Sequence, residues 1–137
     1  MAEFSEKSKV RLATCDDRLV MLFTEVNNRR ACSILEGVRT QADQERDFEK
    51  GASRLHWPHG KHNVQNEGDL SHAVDVKPDD MTFDPPMPPE KWKEFADLVQ
   101  AVADEMGILI RWGGAWYGTY PNPPGILNDL DHFELAA

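Results

Sequence analysis

Segments with helical periodicity, short β-prone runs between and after them, and two long stretches without any period predict an α+β protein. The expected architecture is a small antiparallel sheet with packed helices and long loops. At 137 residues the chain suffices for one compact domain with a core and is too short for two ordinary ones. A single domain over residues 1–137 is therefore expected.

The first helix is expected from Asp16 to about Asn28. Leu19, Leu22, Phe23 and Val26 recur at helical spacing, with Asp16 and Asp17 at the start and Arg29 and Arg30 at the end, the order the helix dipole favours. "ACSILEGV" follows as a short β-prone run closed by Gly37. In "RTQADQERDFEK" Thr40 can cap a further helix that Gly51 ends. Residues 52 to 69 have no period and hold Gly, Pro, Asn and Asp, so they read as a long loop, and such loops in compact domains tend to carry function. "LSHAVDV" alternates as a strand. Ser71, Ala73 and Asp75 share one face and Leu70, His72, Val74 and Val76 the other, which leaves room over the Asp75 carboxylate.

After the proline-rich "DPPMPP", Trp92, Phe95, Val99, Val102 and Met106 form one stripe of a helix with Gly107 as its stop. The stripe reads as core. "ILIRW" is the next strand, "GGAWYGTYPNPPG" a second long loop, and "DHFEL" a final strand in which His132 and Glu134 face away from Phe133 and Leu135.

Composition narrows the function. A formal net charge of −9 argues against nucleic-acid binding through phosphates, which needs a basic stripe. No run approaches the 18 or so apolar residues of a membrane-spanning helix, and "MAEFSEKSKVRLATCDD" is too polar for a signal peptide. No membrane insertion and no export address are expected. Cys15 and Cys32 lie apart without a CxxC pairing, so two reduced thiols are expected rather than a zinc ribbon or a disulfide framework.

The chemistry-bearing candidates are His62, Asp75 and His132, from one loop edge and two strands. A His, Asp, His set can hold zinc and leave a fourth position for water, and a nearby carboxylate must then take the water's proton. Asp129, three residues before His132, is placed for that. Taken singly, each has an ordinary alternative: His62 as a loop hydrogen-bonder, Asp75 as a strand-end charge, His132 as a satisfied core histidine.

Four segments change that balance. "SRLHWPHGKHN", "LSHAVDVKP", "IRWGGAW" and "DLDHFEL", with "GVRTQADQ" upstream, resemble in order the signatures of the M15 metallopeptidases. The likeness is greatest to phage endolysins that act as L-alanyl-D-glutamate peptidases, kin to the D-alanyl-D-alanine carboxypeptidases. It runs from about Ile34 to Leu135 and implies a Hedgehog/DD-peptidase-like fold with active-site loops. It further implies zinc held by His62, Asp75 and His132, Asp129 as general base, and Arg39 polarising the substrate carbonyl or steadying the oxyanion. The implied partner is a peptidoglycan stem peptide, acted on by a monomer made in the host cytoplasm that reaches the periplasm and wall at lysis.

The chain departs from that pattern in three places. The gap between His62 and Asp75 is twelve residues, longer than usual, which leaves His59 as a rival first ligand. His72 is the poorer rival because it lies on the strand face opposite Asp75. Ala115 stands in "WGGAW" where the family usually has aspartate, and Asp131 adds a second carboxylate beside His132 that a strand would point away from the metal. Two other readings follow: a D-alanyl-D-alanine carboxypeptidase or dipeptidase, and a cell-wall-binding relative with impaired catalysis.

Overall fold

The computed structural model describes residues 3–38 and 69–136. In chain order the described elements are α1 (Glu6–Leu12), α2 (Asp17–Arg29), β1 (Cys32–Glu36), β2 (Ala73–Pro78), α3 (Pro89–Met106), β3 (Ile110–Trp112) and β4 (His132–Leu135). The helix expected after Thr40 and the loop expected over residues 52 to 69 lie outside the described residues, apart from Asp69.

The four strands form one antiparallel sheet in the order β1-β2-β4-β3. Its two faces have opposite chemistry. Ile34, Val74, Val76, Phe133 and Leu135 are fully or almost fully buried and join Leu19, Phe23, Val26, Phe95 and Val99 of α2 and α3 in the core. Phe133 meets the rings of Phe23 and Phe95 edge-on, at centroid distances of 5.5 and 6.0 Å. Because side chains alternate along a strand, burying Phe133 and Leu135 turns His132 and Glu134 to the other face.

The expected α+β fold and small antiparallel sheet are present. The α2 and α3 stripes are buried as predicted, except that Met106, on the last turn of α3, is exposed, and Gly107 ends that helix in the left-handed conformation. Helix α1 has no counterpart in the sequence reading. It is short and mostly polar, and is held by contacts rather than periodicity: Ser5 caps it by accepting from the Ser8 amide, Ser8 Oγ accepts from the Ile34 amide, and Arg11 donates to the Ile34 carbonyl. No helix among the described residues is long and apolar enough to cross a membrane.

Candidate active site

Register brings Asp75 and His132 together. They are direct partners across β2 and β4, and Asp75 Oδ1 lies 3.3 Å from His132 Nδ1. Asp129 Oδ2 approaches the same nitrogen at 3.8 Å. The other ring nitrogen, Nε2, is 2.9 Å from Glu134 Oε1, a contact buried on both sides. His132 is therefore fixed at both ends, with Nδ1 turned towards Asp75 and Asp129, while the Trp116 ring lies against it at 5.3 Å.

Asp129 is delivered by the turn before β4. Its amide donates to the Gly113 carbonyl at 2.9 Å, and the Gly113 amide donates to the His132 carbonyl at 2.9 Å. A side chain at Gly113 would collide with the Asp129 backbone, so only glycine permits this approach. Asn122, buried in the second long loop, donates to the carbonyls of Gly113 and Leu127 and accepts from the Trp116 amide. One side chain thus fastens the loop to the turn that carries Asp129.

The electrostatics of the pocket favour positive charge. Burial alone would lower the pKa of His132, but the carboxylates of Asp75 and Glu134 against its ring nitrogens outweigh this and raise it to about 10. Burial, followed by the charges of Asp75 and Asp129, pushes the Asp131 carboxyl up to about 8, and it hydrogen-bonds to Asp129. Asp131 does not point away as expected: it precedes the first residue of β4, so strand alternation does not govern it, and it joins the acidic pocket.

Asp75, His132 and Asp129 are thus brought together, whereas His62, its rival His59, and Arg39 lie outside the described residues. His72, expected within the strand on the face opposite Asp75, instead precedes β2, half-exposed and 3.9 Å from Asp16. Glu134, Asn122 and Asp131 are the residues to which sequence reasoning gave no role in the site. Alternation did put Glu134 on the face of His132, and that was the available signal.

Among the described residues no group of three or more His, Cys, Asp and Glu side chains is arranged to hold a metal ion. The donor chemistry nevertheless fits zinc: an imidazole nitrogen and a carboxylate stand adjacent, in a pocket whose charge attracts a cation. Beside this centre a cleft of about 480 Å³ runs along β3, between α3 and the loop holding Trp116 and Tyr120, with Arg111 and Ala115 in its wall.

Comparison with known proteins bears on this geometry. No curated protein matches the chain. Among solved structures, the crystal structure of the Serratia marcescens L-Ala D-Glu endopeptidase ChiX is similar with a TM-score of 0.66 and 24% identity, over 97% of this chain and 90% of that one, a likeness of fold. The family profile described as phage L-alanyl-D-glutamate peptidase matches residues 1–136, nearly the whole sequence. With its sheet, its paired Asp75 and His132 and this match, the chain belongs to the phage L-alanyl-D-glutamate peptidase family.

Proposed function

We propose that the protein is a zinc-dependent endolysin hydrolysing the amide between L-alanine and D-glutamate in peptidoglycan stem peptides, with His62, Asp75 and His132 as metal ligands. The observation that carries this reading is the cross-strand pairing of Asp75 with His132, with Asp129 3.8 Å from the same imidazole nitrogen. Bound zinc would supply Lewis-acid polarisation of the scissile carbonyl and a water acidified to near neutrality. Asp129 accepts a proton from water and passes it to the departing glutamate nitrogen, as a half-exposed carboxylate at the pocket edge can do. Glu134 holds the His132 ring in place through Nε2, and Arg39 steadies negative charge on the carbonyl oxygen. One domain acting as a monomer would suffice. In this reading the protein is made in the host cytoplasm and meets the wall once a separate protein has opened the membrane.

The test is metal analysis of the purified protein together with mass spectrometry of digested peptidoglycan. One equivalent of zinc and new L-alanine C-termini are expected, with His132→Ala losing both metal and lysis. Release of free D-alanine without new L-alanine C-termini would indicate the carboxypeptidase alternative instead.

A further inference from the structure

The bond cleaved in the reading above joins an alanine carbonyl to a glutamate nitrogen. That glutamate has two carboxyl groups, and the substrate chain continues through only one. The other is an anion within a few bonds of the reacting nitrogen. The residues around His132 offer it no partner, because the carboxylates of Asp75, Asp129 and Glu134 stand within 4 Å of that ring and the chain as a whole carries −9. A cation beside the pocket is needed to receive it.

Arg111 is placed for this. It sits opposite Glu134 on β3 and shares the face of His132 and Glu134. Its guanidinium lies over the Trp116 ring at 5.2 Å, and the centroid of the same ring lies 5.3 Å from that of His132. Resting on one indole, the two side chains are separated by no more than two to three residues of extended chain, at roughly 3.5 Å each. Arg111 is anchored without being used up. Nη2 makes a long 3.4 Å hydrogen bond to the Trp116 carbonyl and Nη1 stands 3.9 Å from Glu134, while the side chain remains 46% exposed in the wall of the cleft. A guanidinium has five donors, so a pair remains for a carboxylate. The cleft's other cation, Lys93, is paired with Asp97 at 3.0 Å. Ala115, in the same wall, adds no competing carboxylate.

We propose that Arg111 binds the free carboxylate of the glutamate on the leaving side of the scissile bond, and that the cleft along β3 is the subsite for that part of the substrate. The assignment deepens the peptidase reading and rests on it. It makes Arg111 a specificity-determining residue.

The experiment uses two synthetic stem peptides containing the L-alanyl-D-glutamate bond, one with the spare glutamate carboxyl free and one with it amidated. The wild-type protein should prefer the acid by about tenfold or more in kcat/KM, mainly through KM, the size of one charge-assisted contact. Arg111→Gln should bring that ratio near one while circular dichroism and the thermal midpoint show an intact fold. Ala115→Asp, which sets a carboxylate in the same wall, should lower the acid-to-amide ratio of kcat/KM. Equal cleavage of both peptides by the wild type, or a preference that survives in Arg111→Gln, overturns the proposal. Calorimetry with the product-side peptide alone, acid against amide, reads the contact without turnover. If neither peptide is cut but the acid product binds preferentially through Arg111, the peptidase reading fails and the subsite stands; without that preference the subsite fails as well.

Discussion

At the scale of single residues, the site turns on which nitrogen of His132 faces the carboxylates. Glu134 accepts from Nε2 at 2.9 Å, which in the proposed zinc site would leave Nδ1, on the side of Asp75, as the nitrogen able to ligate the metal. Glu134→Ala should weaken zinc affinity by about 10- to 100-fold, measured by competition with a chromophoric chelator, because the imidazole loses its orienting partner. Unchanged affinity would mean that Asp75 alone fixes the ring. Alternation in "DHFEL" was enough to set His132 and Glu134 on one face and Phe133 on the other. That His132 and Asp75 meet was implied by the family resemblance alone; the β2–β4 register that pairs them was not legible, since nothing local to either strand specifies its partner. Asp131 was misplaced for a related reason: the strand begins one residue later than its charge pattern suggested.

At the scale of elements, β4 both anchors the sheet in the core and carries His132 of the proposed site. Phe133, wedged between Phe23 of α2 and Phe95 of α3, fixes the height of the strand and with it the position of His132. Phe133→Ala should cost about 3–5 kcal/mol in urea unfolding, the usual result of emptying a buried aromatic site. A loss under 1 kcal/mol would show that the helices close over the gap. The α2 and α3 stripes were readable because burial imposes a period on a long helix. Helix α1 was not, because its seven residues are held by the Ser5 cap and by bonds from Ser8 and Arg11 to β1, which leave no period in the sequence.

At the scale of the molecule, the two thiols report on the integrity of the core. Burial pushes both Cys15 and Cys32 up from about 9 to about 12, and both are free. In the unfolded chain the thiols ionise from about pH 9, whereas in the folded protein they keep their protons towards pH 12. The unfolded state therefore binds fewer protons across that window, and stability falls as pH rises through it. The native protein should react with a thiol-specific chromogenic reagent at pH 8 only as fast as it opens, and both thiols should titrate at once in denaturant. Rapid reaction of either in the native state would show that the α1–β1 side is loosely closed.

The sequence by itself determined the α+β composition, the buried faces of α2 and α3, the alternation that turns Asp75 and His132 to one side of their strands, and the motifs that point to a peptidase. Periodicity and short motifs are local, and a single chain displays them without folding. Only the tertiary structure decided which strands pair, how Gly113 and Asn122 bring Asp129 to His132, and that Glu134 and Arg111 extend the site towards the cleft along β3. Those contacts join residues that chain order separates, and packing and register alone bring them within reach.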